Sequence, residues 1–223
     1  MEHKRITIFA GHYGSGKTNL AVNLALYLKG LHEKVAIADL DIVNPYFRTK
    51  DSARILAAAG IRLITSDYSN TNAEVPSVPA AAKAVFDDAE LYSVLDVGGD
   101  DRGALALGRY SHFINTRDDC EMLMVVNKYR PLSGDAQSVA EIREEIEGAS
   151  HVRFSAIVNN SNLGKETTAR DILDSLAFAG EISRVTGLPL KFTSVREDLC
   201  PELEGAVPDI MPLKIYSKQE WQI

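Results

Sequence analysis

Ile6-Thr7-Ile8-Phe9-Ala10-Gly11-His12-Tyr13-Gly14-Ser15-Gly16-Lys17-Thr18-Asn19-Leu20 is the stretch that decides the fold. A short β-branched apolar run passes into Gly11–Thr18, which fits G-x-x-x-x-G-K-[ST], and an amphipathic pattern follows at once. A strand, a glycine-rich turn and a helix in that order form a P-loop. Gly11, Gly14 and Gly16 allow the tight turn, and Ser15 lies between the last two. Backbone N–H groups of the loop and the helix N-terminus face the phosphates of a bound nucleotide. Lys17 supplies positive charge at the β and γ phosphates, and Thr18 supplies a hydroxyl ligand for Mg²⁺. Leu20, Leu24 and Leu28 stand four apart, so the helix continues to a cap near Gly30.

Beyond the loop, apolar runs near 5–10, 34–39, 61–65, 91–97, 120–127, 153–159 and 190–195 alternate with helical patterns. Such alternation predicts an α/β fold with a mainly parallel sheet sandwiched between helices. The second run ends in Ala38-Asp39-Leu40-Asp41. A period of two puts Asp39 and Asp41 on one side of the strand's carboxyl end, where parallel sheets bind ligands. Two carboxylates beside a triphosphate suit Mg²⁺ and water. Asp39 is assigned to the metal and Asp41 to positioning or activating the attacking water, with a pair of loop-capping aspartates as the alternative. Leu91–Val97 followed by Gly98-Gly99 reads as a buried strand running into a switch. Asp96 is expected to reach the metal through water, and the Gly98 or Gly99 N–H to contact the γ-phosphate. Asp100 and Asp101 read as caps of a helix beginning near Arg102.

The 223 residues, 45% of them apolar, suffice for one nucleotide-binding domain over 1–223 with a short Pro-rich tail from about 201. Pro201, Pro208 and Pro212 interrupt regular structure there, leaving either a packed tail or a partner-binding segment. A net charge of −7 disfavours general nucleic-acid binding. Cys120 and Cys200, far apart, offer no disulfide framework or zinc knuckle. The N-terminal residues lack the pattern of a signal peptide, and no apolar run reaches the roughly 18 residues of a membrane span. A cytoplasmic location, without direct membrane contact, is the expectation. Tyr68–Pro79 reads as a loop beside the nucleotide.

With the P-loop, the Asp-Leu-Asp strand end and Asp96-Val97-Gly98-Gly99 in this order, the chain resembles the MinD/ParA/nitrogenase-iron-protein group of ATPases, within the CobQ/CobB/MinD/ParA superfamily. The resemblance implies ATP with Mg²⁺, ATP hydrolysis, a nucleotide-dependent homodimer, and a switch acting on a protein partner. It also implies adenine contact by Asn160, with Asn159 the close second, and a base-flanking loop at Val195-Arg196-Glu197. Members of this group usually carry an early P-loop lysine that reaches across the dimer; His12 stands there, implying slow or partner-activated hydrolysis. Asn127-Lys128-Tyr129-Arg130 matches the start of the guanine-reading Asn-Lys-x-Asp of GTPases, but its fourth residue is arginine, which favours ATP. Two alternatives stay open: an ATP-dependent ligase or synthase of the dethiobiotin or cobyrinic acid type, with residues 66 to 79 at its substrate, and a non-hydrolysing nucleotide-binding scaffold.

Overall fold

Eight parallel strands form one sheet in the order β3-β2-β4-β1-β5-β6-β7-β8 in the computed structural model, which describes residues 2–40, 53–64, 80–99 and 101–216. The strands are β1 (Ile6–Ala10), β2 (Val35–Leu40), β3 (Arg62–Ile64), β4 (Tyr92–Val97), β5 (Cys120–Val126), β6 (Ala156–Asn159), β7 (Leu190–Arg196) and β8 (Ile210–Leu213). The helices are α1 (Lys17–Lys29), α2 (Ala53–Ala58), α3 (Ala80–Asp87), α4 (Asp101–Gly108), α5 (Ser111–Asn115), α6 (Ala136–Ser150), α7 (Ala169–Thr186) and α8 (Cys200–Leu203). Asp41, Asp100, Trp221 and the Tyr68–Pro79 segment lie outside the described residues.

Helices cover both faces because the strands are apolar on both faces, as a buried parallel sheet requires. On β1, Ile6, Ile8 and Ala10 join one core with Val85 and Phe86 of α3, Leu107 of α4 and Val139 of α6. Phe9, on the other side of the pleat, joins Leu20, Leu24 and Leu28 of α1 with Ile37 and Val94. Strand β1 is thus central, hydrogen-bonded to β4 on one side and β5 on the other. On α6, Glu141, Glu144 and Glu145 are exposed to solvent. Thr168 caps α7 in a reciprocal capping box with Asp171.

The tail departs from its sequence reading. Ile210–Leu213 is an eighth strand, paired with β7 from Thr193↔Ile210 to Arg196↔Leu213, although Pro212 sits within it. An edge strand tolerates proline because one row of its N–H groups faces outward, and Pro212 is exposed while Met211 and Leu213 are buried. The following residues dock on α1. The Asn23 side chain donates to Lys214 O at 2.8 Å and accepts from Lys214 N at 2.8 Å, and Asn19 accepts from Tyr216 N at 2.8 Å. Through residue 216, then, the tail is packed.

At the opposite edge of the strands, Arg5 donates to Asp119 at 2.7 Å and to the carbonyls of Val85, Asp88 and Leu91, tying the end of α3 to β1 and β5. No helix among the described residues is long and apolar enough to cross a membrane.

Two outcomes are expected. Asn23→Ala removes a paired amide and lowers unfolding free energy by about 1–3 kcal/mol, with faster hydrogen exchange confined to 210–216, measured by denaturant titration and exchange mass spectrometry. Asp119 concerns acid stability. Burial pushes its carboxyl up, but hydrogen bonds and charge from Arg5 and Arg117 outweigh burial and hold it below the ordinary aspartate value. A carboxyl depressed in the folded state stabilises fully above its unfolded value and loses that contribution as pH falls through the folded one. Wild-type stability should therefore fall below about pH 4, and Asp119→Asn should flatten that limb in urea titrations at successive pH values.

Candidate functional site: the carboxyl ends of the central strands

The loop after β1 is shaped by three glycines with positive φ: Gly11 at 141°, Gly14 at 77° and Gly16 at 88°. Two of them are also demanded by neighbours. A Cβ on Gly11 would lie 2.5 Å from Val125 O, and one on Gly16 would collide with the Asn160 amide. Gly16 serves as the N-cap of α1 and brings no side-chain acceptor, and no acidic residue occupies the first turn. The open N–H groups at this helix start suit an anion.

Lys17 is 7% exposed and donates to the carbonyls of Gly11 at 2.9 Å and His12 at 3.0 Å, which hold its ammonium against the loop. Thr18 Oγ1 donates to Asp96 Oδ2 at 2.6 Å. Asp96, 2% exposed, is the register partner of Asp39, 7% exposed, across the β2–β4 ladder. A hydroxyl and two carboxylates at adjoining strand ends form an oxygen donor set that fits Mg²⁺. Asp41, the remaining acid of that group, lies outside the described residues.

Gly98 and Gly99 continue β4 straight to the P-loop. A Cβ on Gly99 would sit 2.5 Å from Tyr13 N, so the backbone after β4 touches the loop after β1. Gly103 allows α4 to pack on Gly98 in the same way, a Cβ there falling 2.6 Å from Gly98 O.

Asn160 and Asn159 separate cleanly. Asn159 is turned into the protein, donating to Ser175 Oγ and accepting from Ser161 N and Oγ. Asn160 faces the P-loop: its amide donates to Ser15 O at 2.6 Å and accepts from Ser194 Oγ. It walls a cavity together with Gly16, Asn19, Arg130, Ser194 and Arg196. Arg196 forks onto Asp198 and also donates to the carbonyls of Gly164 and Lys165, clasping the loop after β7 to the loop after β6. Ser194 and Arg130 were not singled out for this cavity by sequence. Arg130 stands directly behind Asn127-Lys128-Tyr129, a signal available from its position after β5, whereas Ser194 gives none.

Two buried polar atoms at the loop have no hydrogen-bond partner, Ser15 Oγ and Arg130 Nε. Orphaned donors around an open helix start fit a phosphate-bearing ligand. His12 bonds through Nδ1 to Tyr13 O at 2.8 Å. The cysteines lie apart from this chemistry. Burial, then Asp119, pushes the Cys120 thiol up to about 11 at the opposite end of β5. Burial, then Glu197 and Asp198, raises Cys200. Neither thiol is activated as a metal ligand.

No protein-family profile matches the chain, and comparison with curated proteins returns no match. Solved structures do match. The signal recognition particle 54 kDa protein of Aeropyrum pernix, in complex with GDP, aligns at a TM-score of 0.54 and 19% identity over 86% of this chain and 41% of that one. The receptor FtsY of Elizabethkingia anophelis, in complex with GDP, aligns at 0.51 and 18% identity over 87% and 58%. Chloroplast FtsY of Physcomitrella patens aligns at 0.58 and 16% identity over 86% and 59%.

The chain has a P-loop NTPase fold. It spans about two fifths to three fifths of the length of these structures. At such identities the likeness is one of fold, and these matches do not single out the MinD/ParA group.

Gly16→Ala places a methyl group against the Asn160 amide in a backbone region unfavourable to alanine. It is expected to lower the melting temperature by several degrees and to weaken nucleotide binding at least tenfold, read by thermal unfolding and calorimetry.

Proposed function

We propose that this protein is a Mg²⁺-dependent ATP-binding protein and ATPase of the MinD/ParA-like type, a single nucleotide-binding unit that switches with nucleotide state and acts on a protein partner. The observation that carries the proposal is the joining of P-loop and switch: Thr18 bonds to Asp96, and Gly99 abuts Tyr13. A change in what the loop holds therefore bears directly on the segment leading into α4. Such coupling is what a nucleotide switch needs.

The residues take these roles in the proposal. The loop N–H groups, Ser15 and Lys17 bind the β and γ phosphates, with Gly98 or Gly99 approaching the γ-phosphate from β4. Thr18, Asp39 and Asp96 would hold Mg²⁺, which when bound neutralises charge on the phosphates. Asp41, assigned from its spacing to Asp39 in the sequence, orients the attacking water. Asn160 and the clasped Arg196 loop flank the base.

Adenine is favoured by the resemblance to the MinD/ParA group, which implies ATP and assigns Asn160, the residue facing the P-loop, to the base. Guanine is the competing base, since two structures of like fold hold GDP. Pairing with a second copy is supported by exposed apolar side chains around the site. Tyr13, Leu105, Leu132 and Leu163 follow β1, β4, β5 and β6, four neighbouring strands, and all four are exposed. A cytoplasmic location, where ATP and Mg²⁺ are plentiful, belongs to the same proposal.

The test is Mg²⁺-dependent binding and phosphate release with ATP and GTP side by side, and sizing in each nucleotide state. Wild type should prefer ATP by at least tenfold and turn it over slowly. Lys17→Ala should lose binding by roughly 10- to 100-fold, and Asp41→Ala should bind normally with turnover reduced at least 100-fold. Tighter binding of GTP would reverse the base assignment, and undiminished binding by Lys17→Ala would remove the phosphate site from this loop.

A further inference from the structure

We propose that Arg130 is a phosphate-binding residue, a second permanent positive charge on the P-loop; this rests on the nucleotide-site reading above. The segment after β5 sorts its side chains by direction. Asn127 is fully buried and holds the turn, accepting from the N–H groups of Tyr129 at 3.0 Å and Asn162 at 3.3 Å. Lys128 donates to Asp174 O at 2.9 Å and Tyr129 to Asp171 O at 2.8 Å, so both lean onto α7. Arg130 turns the other way. Its Nε and Cδ lie 3.7 and 3.8 Å from the point a Gly14 Cβ would occupy, and its side chain walls the cavity shared by Gly16 and Asn160.

Arg130 Nε is buried without an acceptor. An enclosed guanidinium donor facing no acceptor is unfavourable in a chain whose net charge is −7, where carboxylates are plentiful. A phosphate chain on the P-loop supplies the missing acceptor, and a planar guanidinium suits paired phosphate oxygens. The other groups nearby do not fill the role. Arg196 faces the same cavity but is forked to Asp198, and the His12 ring is engaged with Tyr13 O. Glycine at position 14 keeps the approach open, because nothing projects from the loop toward Arg130.

The experiment uses the full chain with Mg²⁺ and whichever of ATP or GTP wild type binds, and sodium tripolyphosphate as a probe that has phosphates but no base or ribose. Affinities are read by calorimetry or displacement of a fluorescent nucleotide, with circular dichroism checking the fold of each variant. Arg130→Ala should weaken nucleotide and tripolyphosphate alike by roughly 10- to 100-fold. Arg130→Lys should recover part of that loss, and Arg130→Asp should weaken both ATP and GTP further.

Loss for the nucleotide alone, with tripolyphosphate unaffected, would move Arg130 to the base or ribose and overturn the proposal. A gain in GTP binding by Arg130→Asp would do the same. Unchanged affinity in Arg130→Ala beside a loss in Lys17→Ala would overturn Arg130's role while leaving the P-loop reading intact. Wild type that binds neither nucleotide nor tripolyphosphate would overturn both.

Discussion

The hydrogen bond from Thr18 Oγ1 to Asp96 Oδ2, 2.6 Å long, fixes the helix after the P-loop to the carboxyl end of the neighbouring strand. Asp96 is almost wholly buried, and its ladder partner Asp39 nearly so. Two carboxylates at adjoining strand ends repel one another in a poorly solvated setting, so positive charge or hydrogen-bond donors must be close by. The loop end brings the Thr18 hydroxyl onto Asp96, while the adjoining Lys17 ammonium is held by the carbonyls of Gly11 and His12. The glycines at 11, 14 and 16 are needed because no other residue lets the chain bend back far enough to deliver them.

The parallel sheet explains why so many separate segments converge. Every described strand points the same way, so the loops after β1, β4, β5, β6 and β7 all leave at one edge. Close backbone approach turns that shared edge into one connected site. Gly99 touches Tyr13, Gly11 touches Val125, and Asn160 bonds to Ser15. The segments after β4 and β6 and strand β5 itself therefore brace the P-loop. The opposite edge has a different character: Arg5, Asp119, Glu121 and Lys191 pair off there and tie strands together.

The pattern of apolar runs and helical periods carried seven of the eight strands, each within a few residues of its sequence-based range. The eighth was hidden by Pro212, since proline argues against a strand unless the strand lies at an edge, and edge position is a property of the sheet. Gly30 ends α1 as its spacing suggested, but with φ −69° and not the left-handed geometry usual for a glycine cap.

At the site, the sequence by itself determined the P-loop, because the loop is mostly backbone geometry written in the spacing of glycines, Lys17 and Thr18. It also placed Asp39 and Asp96 at strand ends, because a strand's period and direction are local properties. Only the tertiary structure separates Asn159 from Asn160 by direction, since they alternate across the pleat and differ in what lies on each side: Ser175 for one, the P-loop for the other. The same holds for Arg130, whose neighbours Lys128 and Tyr129 look equally suited to a ligand until α7 is seen to take them. Which way a loop side chain faces depends on packing partners distant in sequence, and local propensity holds no record of them.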